Sequence, residues 1–474
     1  ATLSVGSLAI ALIGLEGADC VPDDASRFRN LGIGQSVVFE DYKVKVRIDD
    51  FFGGHVAVLG NTGSGKSCTV ASVLQALFEK PDEHHARGAT FVVFDVNGEY
   101  HQAFGEIPNK TDIGVNRLIL DGTAEVGRFR LPHWYLDLSE WELLLQASER
   151  TQAPILRMAL GLATLFGTAN SAHLNNIRNH ILATCITLIL GDETSPGAKR
   201  TRICGILQRF QTAEITPHTL LPMITVNYGD MKGLDAAYQF LAGGGRNPGF
   251  IIPELNLPDY DGTPFDFAVL GDAIDLALLY EEAHGNRQIR DYCSQMVTRF
   301  KALQDRADYQ FLRHEAAAAC DRESFLAKLL GLSPLAGGRL TKSAQIVIID
   351  MNAVEDEVVE LVSAVIARMV LRPLRQAEPR NRFPVHLPLE EAHRYVATTP
   401  SRHAVDSSRV SERISKEGRK YGLFLLVASQ RPSELSKTVL SQCSNFVVHR
   451  IQNPDDLSQI RQMTPFISDS VLRR

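Results

Sequence analysis

At 474 residues the chain exceeds what a single hydrophobic core usually spans, so more than one domain is expected. Its 45% hydrophobic and 22% charged residues exclude a disordered chain and promise a sizeable core. A formal net charge of −6 excludes a generic polyanion trap, so any nucleic-acid contact has to rest on a local basic surface.

Ala1 to Leu15 carry no charge, but Ser4, Gly6, Ser7 and Gly14 interrupt them and no basic segment precedes them. That pattern reads as strand rather than signal peptide or membrane span. The seven cysteines are scattered without a CxxC pair, which points to a reducing cytoplasm. The chain starts at Ala1 and stops at Val471-Leu472-Arg473-Arg474 without an evident closing element, so it reads as incomplete at both ends. Residues 1 to about 50 alternate apolar and polar positions, as in Ser36–Glu40 and Tyr42–Ile48, and predict a small β domain.

His55-Val56-Ala57-Val58-Leu59 is a compact apolar strand that runs through a glycine-rich turn into a helical pattern over Ser67–Leu77. A second such strand, Phe91–Phe94, ends in Asp95 and opens a βαβ unit of the kind that builds parallel α/β sheets. From about 126 to 340 the pattern is mostly helical and predicts a helical insertion, with a flexible break at Gly243–Gly249. Strand character returns at Gln345–Asp350, Val385–Leu389, Leu423–Ala428 and Phe446–His449. The expected fold is α/β, a RecA-like P-loop NTPase core split between 51–125 and 341–474.

Gly60-Asn61-Thr62-Gly63-Ser64-Gly65-Lys66-Ser67 matches the P-loop pattern in full and sits between a strand and a helix, as the motif requires. Its glycines let backbone N–H groups curl around phosphates at a helix N-terminus, Lys66 reaches the β- and γ-phosphates, and the Ser67 hydroxyl binds Mg²⁺. With Cys68 these residues form the expected ATP-binding set. Hydrolysis also needs a carboxylate near the metal and one that orients water, usually at the end of a neighbouring buried strand. Leu387-Pro388-Leu389-Glu390-Glu391-Ala392-His393 fits that place, with Glu390 on the metal side, where an aspartate is usual, and Glu391 in the catalytic position. The plainer alternative is two acids capping a helix. No second ligand stands at zinc spacing from His393, so His393 reads as structural.

Phe94-Asp95-Val96-Asn97-Gly98-Glu99-Tyr100 makes the pattern more specific, because it resembles the D-x-x-G-E-Y segment of the HerA branch of the hexameric HerA/FtsK DNA-pumping motors. The resemblance implies that Asp95 and Glu99 sit near the nucleotide, whereas the residues alone also allow an Asn97-Gly98 turn with a capping acid. Leu426–Pro432 is similar to the family's sensor segment and implies that Gln430 contacts the γ-phosphate, whereas the residues alone also allow a strand-to-loop turn fixed by Pro432. Glu412–Gly422 matches the stretch before that strand and implies Arg419, with Arg413 second, as an arginine finger delivered across a subunit interface. Arg409, Arg413, Lys416 and Lys420 recur at helical spacing as a basic stripe, either a DNA-facing surface or a solvated face offset by Glu412 and Glu417; Arg372, Arg375, Arg380 and Arg382 form a second cluster.

The resemblance covers about 51–105 and 341–465, and residues 1–50 look like a shortened form of the family's N-terminal barrel. It implies a cytoplasmic homohexamer with ATP and Mg²⁺ between subunits and duplex DNA through the pore. It also implies a separate effector, either a nuclease or a sirtuin-like NADase, in DNA-end processing or antiphage defence. The rival expectations are an ATP-binding ring that arrays an effector and a conjugation or secretion ATPase.

Overall fold

Apolar runs such as Phe91–Phe94, Ile346–Ile349 and Leu423–Ala428 become inner strands of one parallel sheet, as expected where both faces of a sheet are covered, while the two edge strands are more polar. The computed structural model describes residues 30–36, 42–79, 89–120, 127–166, 171–244, 248–253, 255, 257–286, 288–318, 320–334, 340–381, 384–394, 396–398 and 405–464. The strands are β1 (His55–Leu59), β2 (Thr90–Asp95), β3 (Val115–Ile119), β4 (Ile346–Asp350), β5 (Val385–Leu389), β6 (Leu423–Ser429) and β7 (Cys443–Val448). They lie in the order β7-β1-β6-β5-β2-β4-β3, all parallel. This is the RecA-like mixed α/β architecture, with four of its seven strands supplied by the C-terminal part of the chain.

β5 is central although it contains Pro388, which has no N–H to give a ladder. The strand registers with β2 at Val385, His386 and Leu389 and leaves Pro388 out of that register. The last strand starts earlier than the apolar run suggests, because Cys443 already pairs with His55 before a register irregularity ahead of Asn445. Helix α1 (Lys66–Phe78) buries Val70, Val73, Leu74, Leu77 and Phe78 in one core with Val56, Val58, Phe91, Val93, Ile346, Ile348, Leu426 and Ala428. Helices α2 (Asp356–Gln376) and α3 (Val405–Glu417) pack against each other, and α3 also contacts β6.

The described residues divide into two compact units, one ending at Leu131 and resuming at Cys320, the other spanning Pro132–Ala319. The sheet belongs to the first unit. Toward the N-terminus this unit carries a two-stranded antiparallel ribbon of Asn30–Gln35 and Lys43–Arg47, after which Ile48 starts a short helix instead of extending the strand. Residues 1–29, most of the alternating stretch Ser36–Glu40 and the terminal Val471–Arg474 lie outside the described residues, as do Arg382 and residues 245–247 of the glycine-rich break. The second unit is largely helical, with helices Gln152–Phe166, Ser171–Gly191, Pro196–Phe210, Leu270–Ala283 and Ile289–Asp305. A buried aromatic cluster of His133, Trp134, Trp141, Phe265 and Phe267 anchors it. Among the described residues no helix is long and apolar enough to cross a membrane.

Candidate nucleotide site

The P-loop leaves the C-terminal end of β1 between β6 and β7 and is tied to both. The Gly60 N–H donates to the Ser429 carbonyl at 3.2 Å, and the Asn61 N–H donates to the Arg450 carbonyl at 3.1 Å. Gly65 caps α1 with φ of 93°, a left-handed conformation that glycine adopts without a Cβ penalty. At Gly60 close approach sets the requirement, since a Cβ there would meet the His449 Cβ at 2.5 Å. The Lys66 amine donates to the Asn61 carbonyl of its own loop at 3.1 Å. Burial draws the Lys66 pKa below its usual value, and the nearby Glu391 and Glu390 carboxylates oppose that shift.

Glu390 lies one residue beyond β5, beside the end of β2. Ser67 Oγ donates to Glu390 Oε1 at 3.0 Å, and the Asn97 N–H donates to Oε2 at 3.3 Å. The fully buried Asp95 accepts three backbone N–H bonds, from Gly98 at 2.8 Å, Glu99 at 3.2 Å and Tyr100 at 3.0 Å. Its carboxyl thus closes the turn and caps the short helix Tyr100–Ala103 while also hydrogen-bonding Glu390. Two carboxyls in contact away from water cannot both ionise cheaply, and both are raised above the usual carboxylate range. Burial, followed by the Asp95 charge, pushes Glu390 up to about 7. Tyr100, also buried, brings its hydroxyl to Ser67, and burial raises its pKa well above the usual phenol range.

Glu391 has a left-handed backbone with φ of 46°, which is uncommon for a non-glycine residue and typical of constrained functional turns. Gln430, just past β6, donates from Nε2 to Glu391 Oε1, and its Oε1 accepts from the Thr62 hydroxyl of the P-loop. One amide therefore links the second acidic residue to the phosphate loop. On the other side of the carboxylate, His393 Nδ1 stands 3.4 Å from Glu391 Oε2 and 3.2 Å from Ser429 Oγ.

Of the residues singled out from sequence, Gly60 to Ser67, Asp95, Glu390, Glu391 and Gln430 converge at this end of the sheet. Cys68 and Glu99 border it as exposed residues. Arg419 does not join them. It is exposed in the 3₁₀ turn Gly418–Tyr421, which enters β6 from the end opposite Gln430, so the seven-residue strand holds the two roughly 20 Å apart. The basic stripe is bent, with Arg413 and Lys416 on α3 paired to Glu417 at 3.8 Å and Glu412 at 3.9 Å, and Lys420 in the turn beyond. Arg375 and Arg380 from the second cluster stack on Tyr421 at 5.6 and 5.5 Å. His449, which contacts Thr69 Oγ1 at 3.1 Å, and Ser429 carry no motif of their own in the sequence; each lies at the C-terminal end of a strand flanking β1, an adjacency that only the strand order reveals.

Residues 31–189 match the family model described as helicase HerA, central domain. Over that span the chain carries the central domain of the HerA family of P-loop ATPases. The DNA double-strand break repair helicase HerA of Pyrococcus furiosus is 32% identical over 103 residues, covering 22% of this chain and 18% of the relative. A probable helicase of Methanocaldococcus jannaschii is 29% identical over 131 residues, covering 27% and 25%. These alignments span a quarter or less of either relative's own length. Among solved structures, VirB4 of Thermoanaerobacter pseudethanolicus aligns over 94% of this chain and 89% of its own, at 14% identity and a TM-score of 0.43.

Proposed function

We propose that this HerA-family chain hydrolyses ATP at sites completed by a neighbouring copy of itself, in a homohexameric ring that moves along double-stranded DNA. The observation that carries the reading is the convergence of Lys66, Ser67, Glu390, Glu391 and Gln430, with Thr62 tying Gln430 to the phosphate loop. Phosphates entering the loop offer Lys66 a better partner than the Asn61 carbonyl and present the γ-phosphate to Gln430. Glu391 then orients and deprotonates the attacking water.

The donor set fits a magnesium ion. Among the described residues no group of three or more His, Cys, Asp or Glu side chains is built to cage a metal, whereas Mg²⁺ takes a few protein oxygens and completes its shell with water and phosphate. Ser67 Oγ and Glu390 would supply those oxygens, and the raised pKa values of Glu390 and Asp95 mark a crowding of negative charge that a dication would offset. When bound, the ion neutralises charge on the phosphates.

Arg419 stands too far along β6 to serve its own site, which favours a finger supplied from one subunit to the next. DNA contacts are then mainly to phosphate, giving sequence-tolerant, salt-sensitive binding. End processing or antiphage attack in the cytoplasm falls to a separate nuclease or sirtuin-like NADase. The test is ATP hydrolysis by the purified chain with and without linear duplex DNA, with Glu391→Gln as control. DNA stimulation lost in the variant is expected. Hydrolysis indifferent to DNA but switched on by a partner protein would replace the motor with an effector-arraying ring.

A further inference from the structure

Glu391 is held asymmetrically. Oε1 receives the Gln430 amide, whereas Oε2 is buried and accepts no hydrogen bond. His393 Nδ1 stands 3.4 Å from Oε2. The ring is half-buried, and burial lowers its pKa, which keeps it neutral near pH 7. A neutral ring carries one N–H, and its place follows from the surroundings. A bare Nδ1 lone pair would face the carboxylate lone pairs of Oε2, whereas Nδ1–H points between Oε2 and Ser429 Oγ. Ser429 is fully buried and accepts the Arg431 N–H at 3.1 Å, so its hydroxyl is a fixed post at the end of β6.

We propose that His393 is a positioning residue for Glu391, its Nδ1–H resting on Ser429 and steering Oε2 of the carboxylate toward the attacking water. The inference rests on Glu391 acting as the base. Oε2 has two lone pairs, so the Nδ1–H that faces it engages at most one and leaves the other to take the water proton. The steering has a specific purpose at this residue, because the left-handed backbone of Glu391 and the pull of Gln430 on Oε1 leave the carboxylate plane to be set from the Oε2 side. Ser429 closes a circuit, since its carbonyl also accepts the Gly60 N–H of the P-loop. The same residue of β6 thus fixes both the phosphate loop and the histidine that aims the base.

The experiment compares His393→Ala, His393→Asn, Glu391→Gln and the double variant Glu391→Gln/His393→Ala in steady-state ATP hydrolysis, with ATP affinity measured separately by equilibrium binding. Asparagine offers an N–H close to the Nδ1 position without the ring. His393→Ala is expected to lower kcat by up to about 100-fold, the scale of a misaimed catalytic group, with KM and ATP affinity unchanged. His393→Asn should recover most of that loss, and the double variant should be no slower than Glu391→Gln alone. If Glu391→Gln is inactive while His393→Ala hydrolyses at the wild-type rate, or Asn fails to rescue a folded Ala variant, the positioning role is wrong and the base reading stands. If Glu391→Gln itself retains full activity, the base reading fails first.

Discussion

Replacing Asp95 separates its structural work from its work at the site. In Asp95→Ala, the Gly98, Glu99 and Tyr100 N–H groups lose their acceptor at 2.8, 3.2 and 3.0 Å, and the Tyr100 bond is buried. Loss of a cap costs about 0.5–2 kcal/mol and a buried orphaned donor about 1–3 kcal/mol, so the variant should lose roughly 1.5–5 kcal/mol. Asp95→Asn keeps one oxygen, which still serves Gly98 and Glu99, but turns an NH₂ toward the Tyr100 N–H, for a cost of about 1–2 kcal/mol. In a unit of this size each kcal/mol lowers the unfolding midpoint by roughly 2–4 °C. Differential scanning calorimetry should therefore order the midpoints wild type, Asn, Ala, with Ala lower by roughly 10 °C. An Ala variant that melts with the wild type would refute the capping account, and one less destabilised than Asn would refute the assignment of the three bonds.

Two further outcomes follow. Arg117→Ala removes the guanidinium that holds the nearly buried Asp350 at 2.5 Å, leaving its carboxylate the Asn352 N–H at 3.2 Å; a loss of about 1–3 kcal/mol is expected in the same calorimetric assay, and Asp350→Asn in that background should recover part of it. Burial holds His55 and His386 at about 4 and His133 at about 3, so the unfolded chain takes up these protons first as pH falls below 6.5. Stability should fall from there toward pH 4, His386 alone contributing about 3 kcal/mol. Glu390 works the other way, because its raised value adds stability at low pH that fades as pH rises through about 7. A midpoint that rises on acidification from pH 7 to 5 would contradict the dominance of the histidines.

The sheet was legible because parallel strands buried on both faces read as unbroken apolar runs; Phe91–Phe94 and Ile346–Ile349 show no alternation that would blur them. The P-loop, Glu390, Glu391 and Gln430 were legible for a related reason, since each follows such a run directly. What the sequence withheld was the lateral order of the strands. Asp95 meets Glu390 because β2 and β5 are neighbours, although almost 300 positions separate them in the chain. His393 read as structural because its partners, Glu391 and Ser429, meet only when β5 and β6 pair. The basic stripe looked continuous because periodicity does not reveal that α3 ends at Glu417, before Lys420.

The most direct test of the central claim, a site shared between subunits, is to mix two inactive variants, Arg419→Ala and Glu391→Gln, and measure ATP hydrolysis after subunit exchange. A shared site predicts that activity returns, because about a quarter of random interfaces pair an intact nucleotide site with an intact Arg419. Mixed assemblies that form, as shown by co-purification of differently tagged subunits, yet remain inactive would contradict it.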